Sequence, residues 1–129
     1  MRTAKQKNSF RWVLLRHIGD PEDIRGIHFD LLLEDKEVCR SWRLSNIPVL
    51  DGPFVEAISI APHKLYWLDV QEKVVSGNRG IATKVKEGIF FKSLTSIQNR
   101  FINLAMQWDD IQVYLVINNK GCRIFRTNQ

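Results

Sequence analysis

The sequence predicts an all-β fold, a small single-domain β-barrel with at most one short helix. Its 129 residues suit one domain that buries a core of its own. Short segments rich in β-branched, aromatic and leucine residues alternate along the chain with turns that contain glycine, proline or asparagine. This pattern indicates a domain built from many short strands. A barrel is favoured because closing the sheet removes exposed strand edges.

The strands are predicted in chain order from these apolar segments. The polar turn at 118–121 indicates a hairpin, since asparagine and glycine adopt the backbone conformations of tight turns. A short helix is expected at 93–99, with Ser93 or Thr95 as its N-cap. Residues 1–9 are predicted to form a basic, flexible tail and residues 10–129 the barrel. The predicted strands are 10–15, 28–33, 38–44, 57–60, 80–85, 88–91, 101–106, 111–117 and 122–126.

Composition narrows the class of protein. A net charge of +5 and a pI near 9.5 indicate a polyanionic partner such as nucleic acid. No apolar run approaches the roughly 18 residues that a membrane span needs, so no membrane contact is expected. Cys39 and Cys122 form no CxxC pair, which argues against a disulfide framework and a zinc motif and favours the reducing cytoplasm. Nothing in the sequence requires more than a monomer.

The charges are distributed unevenly. Basic residues dominate before residue 17 and again across 59–100, whereas acidic residues outnumber basic ones across 17–42. An acidic stretch between two basic ones can hold a cation within a phosphate-binding surface. It can equally be a solvated surface of mixed charge, so the charge pattern does not decide between the two interpretations.

The three histidines of the chain, His17, His28 and His63, are the residues best suited to metal chemistry. His28 and Asp30 lie two residues apart, so on a strand their side chains share one face. With His17 from a neighbouring strand they make a mixed nitrogen and oxygen site for Mn²⁺, Zn²⁺ or Fe²⁺ that leaves coordination positions open. The alternative is that the spacing is incidental and His17 is a solvated loop residue.

A series of motifs resembles, in order and composition, the 3'-phosphoesterase domain of bacterial DNA ligase D, which also occurs as a stand-alone protein. The resemblance covers about residues 10–126, and its most specific part is the run from His28 to Glu34 followed by Ser41-Trp42. The motifs are W-V-L-L-R-H ending at His17, H-F-D-L-L-L-E beginning at His28, S-W at Ser41, P-H-K-L around His63 and G-N-R-G beginning at Gly77.

The resemblance implies a manganese site on a small β-barrel and removal of 3'-terminal ribonucleotides and 3'-phosphates, leaving a 3'-hydroxyl. It implies His17, His28 and Asp30 as ligands of Mn²⁺ or another divalent metal such as zinc or cobalt. It implies His63 as the residue against the scissile phosphate, so that His63, His17 and Asp30 form the catalytic group. Expected partners are primer-template 3' ends, with a DNA ligase, a polymerase or an end-binding repair protein alongside in non-homologous end joining.

The sequence also departs from the family pattern. Leu32 stands where the family has an arginine that contacts the phosphate, and the family's lysine is missing after Ser41-Trp42. Trp67 stands where the family has a tyrosine. Other bases can take over the phosphate contacts: Arg25, Arg43, Lys64 or Arg79. Otherwise the protein is a catalytically weak or inactive module that binds nucleic-acid ends, or an OB-like single-strand binder whose histidines are incidental.

Several other side chains have expected roles. Trp67, with Tyr66 beside it, is expected to stack on a nucleobase. Glu34 is expected either to orient a ligand histidine or a base from behind it or to be a surface residue at the end of a strand. Trp12 and Trp42 lie in apolar strands and are expected to pack in the core.

Overall fold

The computed structural model describes residues 7–92, 94 and 101–126. Within these ranges the chain forms nine strands and one 3₁₀ helix, Leu65–Asp69, so the predicted all-β fold is confirmed. None of the helical structure in them is long and apolar enough to cross a bilayer. The helix expected at 93–99 lies, apart from Leu94, outside the described residues. The strands are β1 (Ser9–Ile18), β2 (Ile27–Asp35), β3 (Val38–Leu44), β4 (Ala57–Lys64), β5 (Glu72–Val74), β6 (Ile81–Phe91), β7 (Ile102–Trp108), β8 (Ile111–Asn118) and β9 (Gly121–Arg126).

The strands form one antiparallel sheet that curls into a half-barrel. Its order is β4-β3-β2-β1-β6-β7-β8-β9, with β5 paired to β6. The curl brings the two ends of the sheet together, where Val55 and Cys122 exchange two backbone hydrogen bonds of 2.8 Å. Gly121 makes this approach possible, because a Cβ at its φ of +120° would lie 2.0 Å from the Val55 carbonyl oxygen.

Several strands run further than predicted, and the extensions of β1 and β4 matter for the site. β1 continues to Ile18 because its last residues pair with both β2 and β6, so His17 lies in a strand and not in a loop. β4 continues to Lys64 and therefore includes His63. Pro62 is tolerated there because β4 is at the edge of the sheet order.

Two smaller differences concern the strands around β6. The predicted strands 80–85 and 88–91 are one continuous strand, β6, with an irregularity in its register to β1 between Leu14 and Leu15. The short strand β5 was not predicted, since its three residues are exposed and two of them are charged. It pairs with the first residues of β6, on the side of the sheet where β1 ends at Ile18.

The sheet buries side chains on both of its faces. The inner face carries the main core, which includes Leu31, Leu33 and Trp42 and draws on strands from both ends of the sheet. There the indole of Trp12 stacks on Trp108 with ring centroids 5.1 Å apart. The expected burial of Trp12 and Trp42 is thus confirmed, with 0% and 2% exposure.

The opposite face, called the second face below, is covered only in part. Its apolar cluster consists of Val13, Leu15, Leu32, Cys39 and Leu68, the last of which comes from the 3₁₀ helix. Leu32 belongs here while its neighbours Leu31 and Leu33 face the main core, as the predicted alternation of β2 requires. The candidate site lies on this face, beside the cluster.

Candidate metal centre and phosphate cavity

His17, His28 and Asp30 meet on the second face of the sheet. The register of β1 and β2 places His17 opposite His28 and Leu15 opposite Asp30. The two imidazole rings have centroids 4.7 Å apart, and one ligand atom from each of the three residues lies within 4.8 Å of the others. All three are buried, with 8%, 4% and 5% exposure. The structure therefore brings together the three residues predicted to hold a metal.

The three side chains offer atoms that can bind a cation, and two of these atoms lack a hydrogen-bond partner. His28 Nε2 lies 3.6 Å from Asp30 Oδ1, and both atoms are buried without a hydrogen-bond partner. Buried polar atoms without partners are costly and uncommon in folded proteins. Two imidazole nitrogens and one carboxylate suit Mn²⁺, Zn²⁺, Co²⁺ or Fe²⁺. These residues therefore fit a divalent transition metal.

Asp23, which was not among the predicted site residues, fixes the orientation of His28. Its Oδ2 lies 2.8 Å from His28 Nδ1, so Nδ1 donates and Nε2 keeps its lone pair for a metal, as carboxylate–histidine–metal groups require. Burial lowers the pKa of His28, but the nearby carboxylate of Asp30 and the hydrogen bond with Asp23 outweigh it, and the pKa lies above its usual value. The hydrogen bond with His28 lowers the pKa of Asp23. The sequence signal was an acidic residue in the 19–26 loop, five residues before His28.

His17 is held by a backbone group. Its Nε2 contacts the carbonyl oxygen of Arg79, and because a carbonyl only accepts, Nε2 carries the proton and Nδ1 is the nitrogen left for a metal. The carbonyl is brought there by the turn at 75–80, which packs against the end of β1. A Cβ on Gly80 would lie 2.0 Å from the Ile18 carbonyl oxygen, and Gly80 has a φ of +89°, so the turn needs glycine at this position.

A cavity of about 470 Å³ lies over His17 and Asp30. This volume is within the range of roughly 300–1,000 Å³ that is usual for small-ligand sites. The cations that line it outnumber the anions, so the cavity favours a negatively charged ligand. The cations are Arg43, Lys64, Lys73 and Arg79, and the anions are Asp20 and Asp30.

His63 lines the same cavity, and its tautomer follows from its contacts. Ser41 Oγ lies 3.0 Å from the Cys39 carbonyl oxygen and 2.8 Å from His63 Nδ1. The single hydroxyl proton of Ser41 goes to the carbonyl, so His63 Nδ1 donates to Oγ and Nε2 is the accepting nitrogen. Burial lowers the pKa of His63, which favours the neutral ring at neutral pH. The ring meets Trp67 edge-on with centroids 5.8 Å apart.

The predicted phosphate contacts are not all in one place. Arg43 lies opposite Asp30 in the register of β2 and β3, with its Nε 3.7 Å from Asp30 Oδ1. Lys64, Arg79 and Trp67 also line the cavity. Arg25 lies elsewhere: it pairs with Glu56 at 2.9 Å, beside a smaller cavity of about 180 Å³ on the other side of Arg43.

Neither Glu34 nor Leu32 contributes a side-chain contact to the metal ligands or the cavity in the described part of the chain. Among the described residues, the partners of Glu34 are Lys7 and the backbone N–H of Arg11, so the role predicted for Glu34, orienting a ligand histidine, falls to Asp23. Leu32, at the position of the family's arginine, is fully buried in the apolar cluster of the second face. An arginine contact with phosphate from position 32 is therefore absent, and Arg43 is the guanidinium beside Asp30.

No family model matches the chain, and no curated protein matches its sequence. The resemblance to the ligase D phosphoesterase domain stays a prediction that rests on the motifs.

Proposed function

We propose that this protein is a metal-dependent 3'-end-processing phosphoesterase. It hydrolyses a 3'-ribonucleotide phosphodiester or a 3'-phosphate at a DNA or RNA primer end and leaves a 3'-hydroxyl. The observation that carries the proposal is the juxtaposition of the buried group His17, His28 and Asp30 with a cavity lined by four cationic side chains. A catalytic metal beside a cation-rich cavity is suited to phosphoester hydrolysis.

The metal ligands are His17 Nδ1, His28 Nε2 and the carboxylate of Asp30. Mn²⁺, or another divalent metal such as Zn²⁺ or Co²⁺, supplies Lewis-acid stabilisation of charge on a phosphate oxygen when bound there. Asp23 keeps His28 in the tautomer that presents Nε2. The carbonyl oxygen of Arg79 accepts a hydrogen bond from His17 Nε2. It therefore keeps His17 in the tautomer that presents the lone pair of Nδ1.

The phosphate is held by cations that replace the two missing family residues. Arg43, Lys64 and Arg79 line the cavity and make charge-assisted hydrogen bonds with the phosphate oxygens. Arg43 is placed for this by Asp30, whose carboxylate lies 3.7 Å from its Nε. Arg25, paired with Glu56, contacts nucleic acid only beyond the cavity.

His63 accepts the proton of the attacking water. Its neutral ring has Nδ1 engaged by Ser41, so Nε2 accepts a proton from the attacking water while the new O–P bond forms. The bond from phosphorus to the leaving oxygen breaks, and the proton returns to that oxygen. This assigns a general-base role to His63, which the resemblance places against the scissile phosphate.

The physiological setting follows from the substrate. A protein that produces 3'-hydroxyl ends acts before a DNA ligase or a polymerase, alongside proteins that bind DNA ends, and a monomer suffices for this. Cys39 and Cys122 are free and buried, and burial raises the pKa of each thiol to about 12. Unreactive thiols of this kind are in keeping with the reducing cytoplasm.

An end-processing assay on a labelled primer annealed to its template tests the proposal directly. A 5'-labelled primer with a 3'-ribonucleotide or a 3'-phosphate is incubated with the protein and Mn²⁺. We expect a shortened or dephosphorylated product that is abolished by EDTA and by His28→Ala. The matched control is Asp51→Asn, which removes an exposed carboxylate paired with Arg126 far along the chain from the ligands. Product that persists with EDTA and in His28→Ala contradicts a metal phosphoesterase.

The second candidate is a module that binds nucleic-acid ends without hydrolysing them. It is favoured by one observation, the full burial of Leu32 where the family has an arginine, because loss of one such contact costs roughly 10²–10³ in rate. The same experiment separates the two candidates. Metal in the protein and a shifted DNA band, without product, identify the non-catalytic module.

A further inference from the structure

One wall of the cavity is aromatic, and nothing in the proposed chemistry uses it. Tyr66 and Trp67 lie on the 3₁₀ helix just after His63 and Lys64, with ring centroids 5.4 Å apart and planes inclined by 34°. Trp67 is half-buried against the apolar cluster of the second face. Tyr66 is 46% exposed and lines the cavity. Tyr66 is thus the ring that a ligand in the cavity can reach.

The 3₁₀ helix holds this ring in a fixed place relative to the sheet. Leu68 is buried at 3% exposure. Its carbonyl oxygen accepts hydrogen bonds of 2.9 Å from both Arg11 Nη2 and Lys84 Nζ, which belong to β1 and β6. A rigid aromatic surface costs little conformational entropy when it binds a ligand.

A cation reaches the same ring from the opposite wall. Lys73 in β5 lies opposite Ala82, and Ala82 lies opposite His17, so the three share one row and one face of the sheet. The ammonium of Lys73 lies 5.6 Å from the centroid of the Tyr66 ring, a cation–π distance. An aromatic ring and a cation therefore face each other over the part of the cavity that is next to the metal ligands.

We propose that Tyr66 and Lys73 form a nucleobase subsite for the terminal nucleotide of the bound 3' end, a proposal that rests on the proposed function. The base stacks on the exposed face of Tyr66, while the phosphate lies over His17 and Asp30. Lys73 leaves the ring when the base arrives and pairs with the adjoining phosphate. Stacking tolerates any base because each has a π-face, so the subsite requires a base without selecting a sequence.

Equilibrium binding of an end that cannot be hydrolysed tests the subsite. The probe is a 5'-labelled oligonucleotide that ends in a 3'-hydroxyl, and its terminal nucleotide either carries its base or is abasic. With Mn²⁺ present, we expect the wild-type protein to bind the base-bearing end roughly 5- to 150-fold more tightly, the usual value of one stacked base. Tyr66→Ala removes this preference and leaves binding of the abasic end unchanged. Tyr66→Phe, which keeps the ring, retains it.

The matched control is Tyr114→Ala. Tyr114 is 37% exposed and lies on β8 against Phe125, and it is the other tyrosine of the chain. Equal affinity of the wild-type protein for the two ends overturns the subsite without any variant, as does a preference that survives in Tyr66→Ala. Failure of the proposed function shows itself separately, as product formation that persists with EDTA and in His28→Ala. A wild-type protein that binds neither end overturns the subsite alone, because hydrolysis does not require affinity for the product end.

Discussion

Both faces of the sheet bury side chains, but they differ in how their buried polar atoms are paired. On the inner face the indole N–H of Trp12 donates to the Gln107 carbonyl at 3.0 Å, and apolar side chains surround it. Of the four buried side-chain atoms in the described residues that lack a hydrogen-bond partner, three belong to the site on the second face: His28 Nε2, Asp30 Oδ1 and Arg43 Nε; the fourth is Arg16 Nε. The first arrangement maximises stability. The second leaves polar atoms unsatisfied in a fixed geometry, which is how folded proteins prepare a binding site.

The largest expected effect is on the inner face. Trp12→Ala removes a fully buried ring that stacks on Trp108, and such a change lowers the free energy of unfolding by about 3–5 kcal/mol. Chemical denaturation measures the loss. Metal affinity, measured by calorimetry under conditions where the variant is folded, is expected to be unchanged because the ligands lie on the other face.

Trp67→Ala is the matched control for this comparison, since Trp67 is half-buried on the second face. We expect it to cost less stability than Trp12→Ala. If Trp12→Ala weakens metal binding in the folded protein, the two faces are not independent, because the inner core would then help to position the metal ligands.

The second prediction concerns His63 and the pH dependence of hydrolysis. Burial lowers the pKa of His63 below its usual 6.5, so the neutral ring is lost only as the pH falls through this lower value. With metal saturating, the turnover rate is therefore expected to fall on the acid side, with an apparent pKa below 6.5. His63→Gln is expected to reduce the rate by roughly 10²–10⁴-fold, as loss of a general base does, and to remove this limb.

The metal ligand His28 also titrates, so metal occupancy is measured at each pH to separate the two effects. A rate that rises as the pH falls, or a His63→Gln variant with wild-type turnover, contradicts the assigned role. Either result would place His63 with the supporting residues of the second face.

What the sequence reveals also differs between the two faces. The burial of Trp12 and Trp42, and the alternation of Leu31, Leu32 and Leu33 between faces, follow from a period of two residues within single strands. The meeting of His28 with Asp30 follows from the same local rule. Local periodicity is therefore enough to predict the core and two of the three candidate metal ligands.

The rest of the site depends on contacts between segments that are distant in sequence. The hydrogen bond of Asp23 with His28 depends on the shape of the 19–26 loop, and the hold on His17 comes from a backbone carbonyl, which no side-chain pattern reveals. Lys73 reaches Tyr66 only because a short polar strand pairs with β6. Hydrophobic patterning carries no information on such contacts.

The third prediction tests Asp23, a loop residue that contacts the site on the second face through its hydrogen bond with His28. Asp23→Asn keeps the size of the side chain but removes its charge, so the hydrogen bond to His28 Nδ1 becomes weaker. We expect metal affinity to fall by about 10- to 100-fold, the usual cost of losing such a partner. Isothermal titration calorimetry with Mn²⁺ measures this affinity.

Glu22→Gln is the control for Asp23→Asn, because it neutralises an exposed acid in the same loop. An equal loss of metal affinity in both variants would mean that the negative charge of the loop, and not the hydrogen bond with His28, supports metal binding.

The smallest expected effect is that of Arg25→Ala. Arg25 is one of the residues that the sequence predicts to contact the phosphate. Its side chain and that of Glu56 are 56% and 59% exposed, and exposed pairs contribute about 0–1 kcal/mol. Arg25→Ala is therefore expected to change stability and turnover little, whereas Arg43→Ala, beside Asp30, lowers the rate strongly. Parallel measurements of kcat/KM compare them. Comparable losses in both variants would show that the bound end extends past Arg43 into the smaller cavity, and that the second face binds nucleic acid over a wider area than the main cavity.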